Sequence, residues 1–572
     1  MGAFAELKKF RGKIFLCCIV LAVAAFSSMF LPTIMSDIID NGINVGNMDY
    51  ILKNGLLMVV LAVISMISYL LSARLIAGIV VNFSKNLKFR IFRKINKLSF
   101  SQFSLIGPSA LLSRTMEDVD LLSESVYFLL RVSITLPVMF IGGIVLSLSK
   151  DAVLSLIMLI FLPVMVVAVF LVGRKLFDLW NDADNQMDRL NQILRERLSG
   201  IRVIRAFNRE PTEHNKLKNV VCDMTDRLVS ANIRSGTLDP VSLLLLNLTT
   251  VAIIYFGGLR VQPGGAVSAA SVFAVVQYVS MIMNSVMMLS IGILFLPRIR
   301  VKLMRINQVL KADTTEKVTY EKVPLGGNIN FENVSFKYAD SDEYVLENIS
   351  IDIKDGQTIA FIGGTGSGKS SVLRLLLGFY QPTDGDILYD GISYKALNPA
   401  SIRDNISCVL QRTAIFSESV AENILLGNAD ASREQILNAM DIAEIRSYVD
   451  SYPDGLDHKL EQGGANLSGG QKQRMVIARS ILRDASIYIF DDCFSALDFL
   501  TESRLRAKLN AYIKGKTQIV CTQRIATAMS ADKIFVFDKG RIVGEGKHSD
   551  LLINCEIYKE IYNSQVGGDL NG

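Results

Sequence analysis

The sequence predicts two units of different class: an all-α polytopic membrane domain over residues 1–312 and an α/β domain over 328–572, joined by a linker at 313–327. Three observations carry this. Half of the 572 residues are apolar and mean hydropathy is +0.34, yet 20% are charged, so long apolar spans must alternate with a water-facing part. Apolar runs long enough to cross roughly 30 Å of hydrocarbon occur at about 14–36, 53–81, 126–148, 152–173, 241–261 and 268–297. From Ile329 onward, short β-rich runs such as 349–353, 358–362 and 487–490 alternate with helical ones such as 370–377, the pattern of a largely parallel sheet.

Six spans are expected, the first after the cluster Lys8, Lys9, Arg11 and Lys13, because the run that follows is too long and lacks the small-residue pattern of a cleaved leader. The gaps between spans are unequal. The second and fourth hold about 45 and 65 polar, helix-compatible residues, which predicts long helices projecting from one side only. Charge gives the side. Asp37 to Tyr50 contains no Lys or Arg, whereas the long gaps carry clusters such as Lys85, Lys88, Arg90, Arg93 and Arg195, Arg197, Arg202, Arg205. The positive-inside rule therefore puts the N-terminus, both long gaps and everything after residue 298 in the cytosol, with a bacterial plasma membrane expected. The net charge of +5 gathers beside apolar spans and forms no nucleic-acid-binding stripe, so lipid bilayer is expected as a neighbour and nucleic acid is not. Seven cysteines without C-x-x-C pairing and three scattered histidines predict neither a structural disulfide nor a metal cluster.

Chemistry concentrates in the second unit. Gly363, Gly364, Thr365, Gly366, Ser367, Gly368, Lys369 and Ser370, with Ser371 behind them, fit G-x-x-x-x-G-K-[ST]. They follow an apolar strand and open a helix. Glycines let successive backbone N–H groups curl around phosphate oxygens, and the helix N-terminus adds its dipole. Lys369 supplies a cation for the terminal phosphates and Ser370 a magnesium ligand. About 120 residues on, the apolar run 487–490 ends in Asp491 and Asp492, and a carboxylate leaving a buried strand beside a phosphate site can hold Mg²⁺.

Through Leu467-Ser468-Gly469-Gly470-Gln471-Lys472-Gln473-Arg474, the chain resembles the ATP-binding cassette (ABC) transporters, whose signature loop this octet matches just before the Asp pair. The resemblance implies an exporter-type membrane domain of six helices followed by an ABC-type P-loop NTPase domain, with ATP and Mg²⁺ as cofactors. It implies that Tyr338 stacks on adenine, that Gln411 is the loop glutamine near Mg²⁺ and the coupling contact, and that Asp498 belongs to a loop crossing a dimer interface. Segments near 100–103 and 205–210 resemble the two coupling segments.

Two positions depart from the family. Where a Glu that polarises water is usual, Asp492 follows Asp491, one methylene shorter; where the switch histidine is usual, Gln523 stands in Thr522-Gln523-Arg524. A carboxamide can hydrogen-bond a γ-phosphate but cannot carry a proton as imidazole does. The resemblance therefore implies an ATP-driven exporter half for amphipathic small molecules, lipids or peptides, paired with a different half that has the complete Glu and His. In that pair this chain binds ATP, hydrolyses it slowly, and lends Ser468, Gly469, Gly470 and Gln471 to the partner's nucleotide. An importer on the same fold and an ATP-gated regulatory member are the other classes it implies. In the apolar spans, Arg131 reads equally as an ion-pair partner or a substrate contact, while the polar and Met-rich tract Gln277, Met281, Met283, Asn284, Met287 and Met288, with Asn247 in the fifth span, reads first as helix packing and second as a pocket.

Overall fold

The computed structural model describes residues 2–261, 267–314, 322–339 and 341–566. It divides into two compact units, Met1–Asn96 with Ser109–Lys311, and Lys97–Pro108 with Ala312–Gly572. Part of the expected linker, 315–321, lies outside the described residues.

The first unit is helical. Its spans lie on α1 (Arg11–Ile38), α2 (Met48–Ile95), α5 (Glu117–Lys150), α6 (Ala152–Ala206), α8 (Leu238–Arg260) and α9 (Ala269–Lys311); α4 (Pro108–Thr115) and α7 (Glu210–Gly236) complete it, and α3 (Phe100–Ile106) belongs to the other unit. Among the described residues five helical stretches are long and apolar enough to cross a membrane, and the fourth run contributes the shorter apolar piece Ala152–Ala168 at the start of α6. Side chains at 169, 172 and 173 in the fourth run and at 290, 291 and 293–297 in the sixth lie outside the described residues. At 1.5 Å per residue, α2 with 48 residues and α6 with 55 are about 70 and 80 Å long, more than twice the hydrocarbon thickness. The polar gaps thus continue the spans as helices that leave the membrane.

Local chemistry sets the ends. Asn47 caps α2 by accepting from the Tyr50 N–H at 3.1 Å, and Asp151 caps α6 by accepting from Leu154 at 2.8 Å. Asp151 also pairs with Arg260 at 2.7 Å, and Asp37 with Lys150 at 2.9 Å, so charges at one end of the bundle are compensated in place. At the other end Lys302 of α9 meets the fully buried Asp118 of α5 at 2.7 Å. Close packing of α5 on α9 needs Gly143, where a Cβ would sit 2.8 Å from Ile282.

The second unit holds two sheets. A four-stranded antiparallel sheet has the order β2-β1-β4-β5, from β1 (Ile329–Phe336), β2 (Leu346–Ile353), β4 (Asp384–Tyr389) and β5 (Ile392–Ser393). A six-stranded sheet runs β10-β9-β3-β8-β7-β6, from β3 (Thr358–Gly363), β6 (Ile406–Val409), β7 (Ile487–Asp491), β8 (Thr517–Thr522), β9 (Lys533–Asp538) and β10 (Arg541–Gly546). It is parallel from β9 through β6, with only β10 antiparallel. The expected strands at 349–353, 358–362 and 487–490 lie within β2, β3 and β7, while the separate antiparallel sheet is an addition to the expected parallel one. Phe361, Phe535 and Phe537, fully buried, interlock edge to face on the central strands.

The helical part between β6 and β7 is organised by one buried side chain. Asn423 accepts from the Phe416 N–H at 2.9 Å and from Arg479 at 3.1 Å, and donates to the carbonyls of Phe416 at 2.9 Å and Ser419 at 3.1 Å. Arg479 reaches the carbonyls of Asn423 and Ala414 in turn. Replacing Asn423 by Ala strands buried donors and acceptors, each costing about 1–3 kcal/mol. We expect Asn423→Ala to lower the unfolding temperature of this unit clearly, measured calorimetrically on the membrane-reconstituted chain, whereas Asn428→Ala on the exposed turn beyond it should leave it within error.

Candidate nucleotide site

Strand order brings the pieces together. Because β8 lies between β3 and β7, the C-terminal ends of all three meet at one edge, with Ile362 opposite Thr522 and Asp491 opposite Cys521. The loop after β3, the acids after β7 and Gln523 after β8 therefore converge, as ligand sites do at the carboxyl ends of parallel strands.

The loop geometry depends on glycine. Gly363 has φ +155°, and a Cβ there would lie 2.2 Å from the Phe537 carbonyl oxygen. Gly368 has φ +105° and caps the helix Lys369–Leu376 in a left-handed conformation. Lys369 Nζ donates to the carbonyls of Gly363 and Gly364, both at 2.8 Å, and to Ser367 Oγ at 3.2 Å, so the ammonium is held inside the loop.

A cavity of about 200 Å³ is lined by Thr365, Gly366, Ser367, Gly368, Lys369, Ser370 and Ser371 on one side and by Gln411, Asp491, Asp492 and Gln523 on the other. Most of the residues expected to bind phosphate and metal are thereby in one place. Burial pushes the Asp491 carboxyl above the ordinary carboxylate range, Asp492 adds to the push, and Lys369, Arg374 and a hydrogen bond from the Gln411 backbone oppose it. Burial likewise raises Asp492, against Arg524 and Lys369. Burial lowers Lys369 despite its acidic neighbours. Two carboxylates, a hydroxyl at Ser370 and an amide at Gln411 form a set of hard oxygen donors that fits a divalent cation such as Mg²⁺.

Asp492 carries φ +45°, the left-handed region in which Asp is one of the few tolerated side chains, and its N–H donates to the Cys521 carbonyl at 2.9 Å. The turn after β7 is thus tied to β8, and the short carboxylate stays close to the main chain.

Other expected residues lie elsewhere. Tyr338 is outside this cavity: its ring packs against Phe336 and Tyr380, and its hydroxyl meets Ser371 Oγ at 2.9 Å and accepts from Arg374 at 2.8 Å. It lines a neighbouring groove with Ser101, Ser104 and Leu105 of α3. The first segment expected to couple is held by Phe100, stacked on Phe379 at 4.9 Å and edge-on to Tyr380 at 5.6 Å. Ser468, Gly469, Gly470 and Gln471 are also outside the cavity. They open the helix Gly469–Leu482, where Ser468 and Gln471 form a reciprocal capping box. Asp498 caps the helix Phe499–Tyr512 by accepting from Thr501 at 2.9 Å, which holds its carboxyl below the ordinary range.

Two glutamines emerge that the sequence reading did not assign. Gln473 accepts from the Ala496 N–H at 3.1 Å and reaches Ser495 Oγ at 3.5 Å, tying the signature helix to the loop of Asp498. Gln565, in the C-terminal helix Glu556–Val566, donates to the Gln523 carbonyl at 2.6 Å and accepts from the Ile525 N–H at 2.8 Å. One carboxamide thus clamps the main chain on both sides of Arg524. Gln473 stands inside the quoted octet and was findable; Gln565 lies 42 residues from its partner in an ordinary amphipathic helix, with no local signal.

A membrane-spanning helical unit joined to a P-loop α/β domain defines a nucleotide-dependent membrane protein. Comparisons with known proteins give the family. Residues 14–286 match the family model described as ABC transporter transmembrane region, and residues 346–495 the one described as ABC transporter. The chain is 32% identical over 575 aligned residues to an uncharacterized ABC transporter ATP-binding protein of Mycobacterium tuberculosis (strain CDC 1551 / Oshkosh), covering 98% of each. It is 30% identical over 499 aligned residues to the ATP-dependent lipid A-core flippase of Chromobacterium violaceum, covering 84% of this chain and 82% of that one. A bacterial Atm1-family ABC exporter solved with ATP bound shares the fold, with TM-score 0.84, 22% identity, and coverage of 97% of this chain and 98% of that one. This chain belongs to the ABC transporter family, as an exporter-type half-transporter: an integral membrane protein whose ATP-binding domain is cytosolic.

Two outcomes follow from the geometry. Because the folded state raises the Asp491 pKa, it binds that proton more tightly than the unfolded chain, so nucleotide-free stability falls as pH rises from the ordinary carboxylate range through the folded value. Denaturation across that window should show the fall in the parent and a flatter profile in Asp491→Asn. Gln565→Ala should speed amide exchange at Ile525 severalfold by removing its acceptor, with exchange in β3 unchanged.

Proposed function

We propose that this chain is one half of an ATP-driven exporter of amphipathic small molecules, lipids or peptides, and that it works in a heterodimer as the subunit with the slow ATP site. One observation carries the reading: Asp492 and Gln523, the two departures from the family pattern, line the same cavity as Lys369 and Ser370. Both replacements bear on γ-phosphate cleavage, while the loop that binds phosphate is complete.

The cavity supports binding directly. Backbone N–H groups of the loop and the N-terminus of the helix Lys369–Leu376 favour polyphosphate. Lys369, now held by two loop carbonyls, can turn its ammonium to the terminal phosphates. Ser370, Gln411 and Asp491 would hold Mg²⁺, which when bound neutralises phosphate charge. Attack by water is less well served. A water activated by Asp492 must approach a carboxylate about 1 Å short of a glutamate's reach, a displacement worth roughly a hundredfold in rate. Gln523 can donate a hydrogen bond to a γ-phosphate oxygen but holds no titratable proton.

Pairing is supported by what the segments near Asp498 and after α6 present. Phe499 is 80% exposed, Leu500 70% and Phe207 73%, large apolar groups with no cover from this chain. In the family, two ATP molecules are sandwiched between the loop of one domain and the signature of the other. Ser468, Gly469, Gly470 and Gln471 would thereby complete the site of a partner that carries Glu and His. Cargo movement follows if ATP binds the closed pair better than the open one, and the anchored Phe100 carries the motion of the ATP-binding domain to α2 and the helices joined to it.

The pairing is tested by ATPase assay of the purified chain alone and with the half encoded beside it. We expect turnover only in the pair, at least tenfold above the chain alone; robust turnover by this chain alone would sink the proposal. Asp492→Glu within the pair should raise hydrolysis at this site if carboxylate reach limits it, with no gain locating the limit at Gln523.

A further inference from the structure

Within the membrane unit a cavity of about 600 Å³ lies between α1, α2, α5 and α9. Its wall is mostly apolar, with Leu70, Leu136 and Met139 among the lining. Polar groups are few: Tyr69, Tyr127, Asn284, some hydroxyls and one cation, Arg131. No carboxylate is among the lining residues, and no hydrogen bond or ion pair to the Arg131 guanidinium occurs among the described residues. The last acid before it on α5, Glu124, is seven residues back, about 10 Å along the axis. The two uses open to Arg131 in the sequence, ion-pair partner or ligand contact, are therefore distinguished: it is a cation without an anion, facing space.

Depth adds to this. Arg131 lies five residues beyond Val126, where the apolar run begins, so its Cα is about 7 Å inside the cytosolic boundary. A guanidinium at that depth is costly unless it faces a polar cavity or finds an anion. Met281 and Met288, two turns apart on α9 with Asn284 between them, provide an adaptable apolar wall opposite. We propose that this cavity binds an amphipathic organic anion, with its acidic group on Arg131 and its apolar body along the methionines. The inference rests on the transport reading and gives that reading a cargo class.

Binding is measured without nucleotide, so that a failure of this proposal is separable from a failure of export. The transporter, purified through a tag on this chain with the half that accompanies it, is placed in phosphatidylcholine nanodiscs. A fluorescent nitrobenzoxadiazole fatty acid, ionised at the working pH, is compared with its methyl ester. We expect the acid to bind about tenfold tighter or more, the order of one charge-assisted hydrogen bond. Arg131→Gln should abolish the preference while leaving ester affinity unchanged, and Arg131→Lys should restore part of it. Tail-labelled phosphatidylglycerol against phosphatidylcholine then separates a lipid headgroup from a soluble amphiphile; an Arg131-dependent preference in either pair supports the proposal. Equal affinities for acid and ester and for both lipids in the parent, or a preference undiminished in Arg131→Gln, would overturn it. Should Arg131→Gln fail to reach the membrane, Arg131→Met takes its place with the same expected loss of preference, and equal parent affinities overturn the proposal in either case.

Discussion

The nucleotide site depends on keeping two acids and one ammonium together in a buried place. Asp491 and Asp492 sit where burial disfavours their charge, and Lys369 sits where burial disfavours its own. Their mutual attraction offsets part of that cost, and loop carbonyls hold the lysine meanwhile. Such a set is poised for a ligand that brings both negative phosphates and a divalent cation. The parallel order β3-β8-β7 is what makes it possible, since only adjacent strand ends can deliver the loop, the acids and Gln523 to one cavity. Glycine at 363 and 368 follows from the same constraint, because any side chain would strike the Phe537 carbonyl or Leu346.

Much of this was legible in the sequence, and the reason is that phosphate recognition uses contiguous main chain. Gly363 to Ser371 is one uninterrupted stretch, and its flanking strand and helix formed as periodicity indicated. Six apolar runs were equally legible, since hydrocarbon thickness imposes a minimum length. The antiparallel sheet was not, because β1 pairs with β2 and β4 through contacts that alternate burial without a distinctive motif. Nor was Gln565, whose clamp on Gln523 and Ile525 depends on where the last helix lands. Asp492 could be recognised as one methylene short from sequence, but its left-handed backbone could not.

The membrane unit shows how chemistry is sorted by depth. Charges at one helix end are matched as Asp37 with Lys150 and Asp151 with Arg260, and the buried Asp118 is matched by Lys302 toward the other. Arg131 stands apart between these levels, in a cavity whose remaining surface is apolar, aromatic or uncharged. Sequence alone left its use open because ion pairing across helices is a three-dimensional fact. In the second unit, Phe100 stacked on Phe379 gives α3 an aromatic anchor where a polar contact would exchange with water.

The proposed slow site rests on a complete phosphate loop, a short acid in a left-handed turn and Gln523 where the family pattern has a histidine, all at one cavity. The most direct measurement follows nucleotide on each chain of the working transporter, using a photo-crosslinkable ATP labelled on either the α- or the γ-phosphate. After several turnovers, this chain should retain both labels while its partner retains only the α-label. Equal loss of the γ-label from both chains would contradict it.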